Sequence, residues 1–325
     1  MRHAGPAAEV IPLAKLRTPE LRPQHVARAA LTERLAGAWR HPVTLVCAPA
    51  GFGKTSAVVA ALGAPVGRRE GDAAAHEPGG RLAWVSLDEH DAEPQRFFRL
   101  LGAALQRATG LGSELVATLA SPQPPPVRPL LPPLLNALAE ADANVLLCID
   151  DLHVVEDARV HDDLAFLVEH APRGLRLLLA SRADPPLPLH RWRARGQLLE
   201  VRADDLRLSI EETSTLLDAV LGRTLDAATA AAVQRATEGW AVGVRLASLA
   251  LRGTDEGDAR DERALVAGLE AGEGFALEFL AEEVLAHLPA ELAAFVLDAS
   301  VLDAFTPDLV DAVRTATDAH AHLDR

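Results

Sequence analysis

Lysine is almost missing from this 325-residue chain: Lys15 and Lys54 stand against thirty arginines. Where nearly every cation is arginine, a retained lysine marks a place that a compact ammonium on a flexible stem fills better than a planar guanidinium. Long apolar runs are missing too. None approaches the ~18 residues of a membrane-crossing helix, and the opening MRHAGPAAEVIPLAKLRTPE lacks the unbroken apolar stretch of a secretory signal. The expectation is a cytoplasmic protein with no membrane partner. Cysteine is scarce, and Cys47 and Cys148 both lie in apolar, strand-like runs. Small buried thiols fit that placement better than a disulfide or a metal pair. Basic patches are lacking as well. With a net charge of −14 and acidic residues spread along the chain, this stretch is a poor partner for a DNA backbone by itself. No internal repeat is found.

What is present suffices for a large core. Apolar residues make up 49% of the chain, and its length suits two or three domains of ~100–200 residues. Residues 1–20 are expected as a loosely held arm, and 24–40 as a short helix leading into a strand. The glycine-, proline- and charge-rich 63–80 predicts a surface loop. A strand at 82–87 is followed by a helix over 94–109 with Pro94 in its first turn. The loop 121–129 precedes a helix over 130–141. Apolar runs at 144–149 and 175–180 flank a helical stretch at 161–170, and 198–201 is a last short strand. Strands alternating with helices at this spacing predict a parallel, doubly wound sheet covered on both faces. After about residue 205 the pattern turns helical: Trp240, Val244, Ala247 and Leu251 share one spacing, and Leu277, Leu280, Val284 and Leu288 another. A charged linker is expected at 253–263, and Pro289 ends one helix before Leu292, Phe295, Val296 and Ala299 start the next.

The densest chemistry lies at 43–56, VTLVCAPAGFGKTS. It has the form of a buried strand, a glycine turn and a helix start, which together make a phosphate-binding loop. Backbone N–H groups across Ala50, Gly51, Phe52, Gly53, Lys54, Thr55 and Ser56 would converge at the positive end of the helix. Lys54 would reach the β and γ phosphates of a nucleotide, and the Thr55 hydroxyl would ligate Mg²⁺. The usual pattern opens on glycine where this chain has Ala48.

The run VLLCIDD ends an apolar strand in two carboxylates, about a hundred residues later. This is a Walker B arrangement, in which Asp150 holds the metal and Asp151 orients or deprotonates the attacking water. Arg182 closes the next strand, at the sheet edge where ligands of open α/β sheets sit. It is either a γ-phosphate sensor or a solvated surface arginine. Arg191, Arg193 and Arg195 are expected on the surface, Asp91 and Glu93 as helix caps.

APAGFGKTS, WVSLDEHDAEPQRFFRLLGAAL, CIDDLHVVED, LLLASRADPPLPLHRWRARGQLLEVRADDL and ATEGWAVGVRLASLAL together resemble the MalT-type, ATP-dependent LuxR-family regulators of the STAND class. The resemblance spans about residues 10–310. It implies a P-loop NTPase with a five-stranded parallel sheet of the ASCE/AAA-like kind over 21–205, a helical domain over 206–270 and an incomplete winged helix over 271–325. It further implies ATP or ADP with Mg²⁺ as cofactors, Val26 and Arg28 against the adenine, and Arg182 as the sensor. The turn Glu238-Gly239-Trp240 resembles the signature that packs over the nucleotide, although a plain turn before a helix fits it equally. Inducer and DNA would be met only by regions absent from these residues, and self-association would accompany the ATP state. The chain is then either a fragment of a longer polypeptide or a natural truncation. Three functions remain open: a nucleotide-dependent switch with slow hydrolysis, a stand-alone ATPase or kinase-type enzyme, and a nucleotide-locked scaffold without turnover.

Overall fold

The computed structural model describes residues 10–63, 80–252, 289–299, 306–314 and 319. Five strands, β1 (Val43–Cys47), β2 (Arg81–Ser86), β3 (Val145–Asp150), β4 (Leu175–Ser181) and β5 (Leu198–Arg202), form one sheet in the order β2-β3-β4-β1-β5. Every neighbouring pair is parallel. Helix α1 (Ala29–Ala36) precedes β1; the connections carry α2 (Lys54–Leu62), α3 (Pro94–Thr109), α4 (Ser113–Leu119), α5 (Leu131–Glu140), α6 (Ala158–Glu169) and α7 (Leu189–Ala194); α8 (Ala203–Leu206) follows β5. Parallel pairing puts all five carboxyl ends on one edge. Strand β4 lies between β1 and β3, so the glycine turn and the two carboxylates flank a single intervening strand.

The three inner strands, β1, β3 and β4, are buried on both faces, as near-continuous apolar runs require, while the edge strands β2 and β5 are only partly buried. Alternation along β3 sends Val145, Leu147 and Ile149 into one core and Leu146 and Cys148 into the other. The first core is closed by α3, α5 and α6, through Phe97, Phe98, Leu131, Leu138 and Leu164. The second is closed by α1 and α2, through Leu35, Val58 and Leu62. Each fully buried Leu or Phe contributes about 1.5–3 kcal/mol, so the sheet is a rigid base for the loops at its edge. Both cysteines are free and buried, as their strand-like surroundings predicted.

A separate helical unit follows: α9 (Ile210–Leu221), α10 (Ala227–Thr237) and α11 (Ala241–Arg252). Ser209 opens α9 with a reciprocal capping box to Glu212, and Asp226 caps α10. Its core joins Leu217, Val233, Val244, Ala247 and Leu251. Two further described helices, Ala290–Ala299 and Pro307–Arg314, pack Phe295 and Ala299 against Val310.

Local expectations and structure differ in three places. The helix expected over 24–40 is α1 plus a short 3-10 turn, Gly37–Trp39; residues 24–28 are not helical and run along the end of a cavity instead. The described part of the N-terminal arm is anchored: Leu16 is buried, and Lys15 pairs with Asp91 and, at 2.6 Å, with Asp88. Asp91 also accepts from Arg96 Nε at 2.8 Å and from the Asp88 amide at 2.9 Å, so the expected cap is the hub of an ion cluster. Helix α4, which was not expected, buries Leu115 and Leu119 one turn apart. The expected loop at 63–80, linker at 253–263 and helix through Leu288 lie almost wholly outside the described residues.

Candidate nucleotide site

The strand-to-helix turn at 48–54 is built on two glycines with positive φ, Gly51 at 77° and Gly53 at 79°. Side chains rarely adopt that conformation. The first bond of α2 runs from the Ala57 amide to the Gly53 carbonyl at 2.9 Å. The N–H groups of Lys54, Thr55 and Ser56 therefore precede any intrahelical partner and stand at the positive end of the helix.

Lys54 is 7% exposed and donates to the Ala48 and Pro49 carbonyls at 2.8 and 3.0 Å. Its ammonium curls over the turn. Burial pulls its pKa below the ordinary lysine value, and Arg182 adds to that, while Asp151 and Asp150 oppose it. The next residue crosses to the acidic strand: Thr55 Oγ1 donates to Asp150 Oδ2 at 2.8 Å. Asp150 is 3% exposed. Burial, then the Asp151 carboxylate, push its pKa up to about 6, against the bonds from Thr55 and the Asp151 amide. Asp151 itself is left-handed at φ 59° and opens a short 3-10 turn, Leu152–Val154, which leaves its side chain half-exposed at the strand's end.

Lys54, Thr55 and Asp151 line one cavity of about 390 Å³, within the range of small-molecule sites. Ala50 through Ala57, Asp151 and Arg182 form the sheet-side wall, Arg22 and Gln24 through Val26 with Arg28 an end, and Leu208, Leu216, Ala241, Val242 and Arg245 the helical wall. The charge in it is inverted relative to the chain. Against a net charge of −14, the lining holds five cations, Arg22, Arg28, Lys54, Arg182 and Arg245, and one carboxylate, Asp151. His25 is not a sixth, since burial and Arg28 lower its pKa.

Of the residues that the sequence assigned to nucleotide or metal, only Asp150 is outside the lining, sitting behind Thr55. Val26 belongs to the helical unit's core as well. Arg28 lines the cavity with its guanidinium committed elsewhere. It donates to the Leu206, Asp205 and Arg207 carbonyls at 2.9, 3.2 and 2.7 Å and pairs with Glu212 at 3.1 Å. It clasps the segment where the sheet domain passes into the helical unit. Arg191 and Arg193 pair with Glu169 and Glu200 on the surface.

The turn 238–240 docks on the phosphate loop. Trp240 Nε1 donates to the Ala50 carbonyl at 3.0 Å, and the Val242 amide donates to the Gly51 carbonyl at 3.1 Å. A Cβ on Gly51 would lie 2.7–2.9 Å from the Trp240 indole, and one on Gly239 would lie 2.4 Å from the Leu208 carbonyl. The plain-turn alternative is thereby incomplete: the turn also holds the loop from above. Trp240→Phe keeps an aromatic side chain, loses the pyrrole part of the indole and leaves the Ala50 carbonyl without its donor. It should lower stability by about 1 kcal/mol, measurable as a smaller unfolding free energy in urea at unchanged slope. The sequence reading did not single out Arg245; its one signal is the fourth place after Ala241 on the helix behind this turn.

Comparison with known proteins finds similarity to MalT-type sequences. The MalT winged helix domain family matches residues 281–325. The HTH-type transcriptional regulator MalT of Serratia proteamaculans is 32% identical over 91% of this chain and 31% of its own length. The serine/threonine-protein kinase PknK of Mycobacterium tuberculosis is 31% identical over 99% of this chain and 28% of its own. The chain thus spans about a third of the length of the curated relatives it matches. Among solved structures, a RuvB variant from Thermotoga maritima aligns over 94% of this chain and 88% of its own at 11% identity and a TM-score of 0.43. With its parallel sheet, its strand-to-helix glycine turn and its sequence similarity to the regulator MalT, the chain is MalT-like and has the fold of a P-loop NTPase.

Proposed function

We propose that the chain is the ATP/ADP-binding module of a MalT-like regulator, working as a nucleotide-dependent switch with slow hydrolysis. The observation that carries this reading is the Thr55 hydroxyl at 2.8 Å from Asp150, beside Lys54, in a cavity whose charge opposes that of the chain. A polyanion with a bound divalent cation satisfies both halves of that site. The loop amides and Lys54 would take the phosphates. Thr55 and Asp150 offer an all-oxygen donor pair, which suits Mg²⁺. When bound, Mg²⁺ neutralises phosphate charge. Asp151 would orient the attacking water or accept its proton, and Arg182 would stabilise charge gathering on the γ-phosphate.

Two features favour a switch over a general-purpose enzyme. The helical unit is hydrogen-bonded directly to the phosphate loop, so a change in the loop on exchanging ADP for ATP has a route out of the sheet domain. In addition, relatives named as a transcriptional regulator and as a protein kinase share this segment, which fits a regulatory part better than an effector. A switch requires that ATP and ADP bind its two forms with different affinity. In this reading the ATP form self-associates, and inducer and DNA are met by parts of the regulator outside these 325 residues.

The test pairs bound nucleotide with turnover. Purified protein should release ATP or ADP on denaturation. Asp151→Asn should bind both as wild type does while phosphate release falls about a hundredfold. Fast steady-state turnover in the wild type, or unchanged hydrolysis in the variant, would refute the slow switch.

A further inference from the structure

Arg245 stands out among the cations of the cavity. It is half-buried on α11 and lines the same space as Lys54 and Arg182. Among the described residues, no carboxylate or carbonyl oxygen accepts from its guanidinium; its own backbone carbonyl accepts from the Ser248 hydroxyl at 2.6 Å. Arg28, by contrast, donates to three carbonyls and is paired with Glu212. A guanidinium that lines a cavity and receives no anion from the protein is available to an anionic ligand. Its place is also fixed. The Val242 amide is tied to the Gly51 carbonyl and Trp240 to the Ala50 carbonyl, so Arg245 sits three residues, about 4.5 Å of helix, beyond an attachment point on the phosphate loop.

We infer that Arg245 is a further polyphosphate-binding residue, contributed by the helical unit to the nucleotide held on the P-loop. The inference rests on the nucleotide-site reading above and extends it to α11. A cation from a second structural unit adds charge-assisted hydrogen bonds that exist only while that unit is docked. Phosphates would then bridge the two units, and binding of a di- or triphosphate would hold α11 down while a nucleoside would not.

Calorimetric titration of ATP, ADP and adenosine into wild type, Arg245→Gln, Arg245→Lys and Lys54→Ala tests this directly. Arg245→Gln should weaken ATP and ADP about tenfold to thirtyfold and change adenosine by less than about threefold, with Arg245→Lys recovering part of the loss. ATP affinity within about twofold of wild type overturns the inference, as does an equal loss for adenosine and ATP, which would mean a packing role. If Arg245→Gln does not fold, Arg245→Lys carries the test: it must lose ATP affinity while keeping that for adenosine. Failure of the underlying site looks different. There, Lys54→Ala would bind like wild type, or wild type would bind no nucleotide at all.

Discussion

Lys54→Ala is expected to lose ATP and ADP binding by about a hundredfold while remaining folded. The ammonium is 7% exposed and already held by two loop carbonyls. Its position over the turn is therefore set before any ligand arrives. Burial lowers its pKa, with Arg182 adding to the effect, so an unliganded loop carries an incompletely compensated cation. Two of its three N–H groups are engaged by those carbonyls, so the third would donate to a phosphate oxygen in a charge-assisted bond of about 1.5–3 kcal/mol. Losing it amounts to a factor of about a hundred at the upper end of that range. Lys54→Arg should restore little, because a planar fork cannot follow the ammonium's path between the two carbonyls. Calorimetry with ADP measures the loss, and circular dichroism confirms the fold. ADP affinity within about threefold of wild type in Lys54→Ala would rule this lysine out as the phosphate ligand.

Much of this site was legible because its chemistry is local. An apolar run that breaks into Gly51 and Gly53 before Lys54 reports strand, turn and helix from one short window. Pro94 similarly marks the start of α3, whose limits agree with the helix expected over about 94–109. The acidic strand is legible from five buried apolar residues followed by Asp150. What the sequence withheld are contacts between distant residues. The hydrogen bond from Trp240 to Ala50 spans 190 positions, and no periodicity encodes it. The Arg28 clasp on 205–207 is hidden for the same reason: an arginine looks alike whether it faces a nucleotide or a chain of carbonyls. Lys15 illustrates the limit of composition. Its rarity matched that of Lys54, yet it serves an ion cluster around Asp91 rather than a ligand.

Asp150→Asn should separate stability from function by moving them in opposite directions. The carboxylate is 3% exposed, and burial with the neighbouring Asp151 pushes its pKa up to about 6, from the unperturbed 3.8. A folded-state pKa above the unfolded one means that the folded protein binds the proton more tightly. The ionised group thus destabilises the metal-free protein, fully so above about pH 6. That penalty fades as pH falls from 6 toward 3.8. Each pKa unit corresponds to about 1.4 kcal/mol, so a neutral amide at this place should stabilise the chelator-treated protein by about 1–3 kcal/mol at about pH 7.5, and by much less at about pH 4.5. The amide can keep both local bonds: its oxygen accepts from the Asp151 amide and its nitrogen donates to the Thr55 hydroxyl, which accepts instead of donating. What it cannot keep is the anionic oxygen that a hard cation requires. The gain that Mg²⁺ gives to ATP affinity in the wild type should drop by about a hundredfold or vanish, while ATP binding in chelator changes little. Thermal melts at the two pH values and titrations with and without Mg²⁺ read these effects independently. A buried acid that costs stability when empty and improves ligand affinity when filled is the signature of a site kept for binding; a structural aspartate in the same place would weaken the fold on replacement.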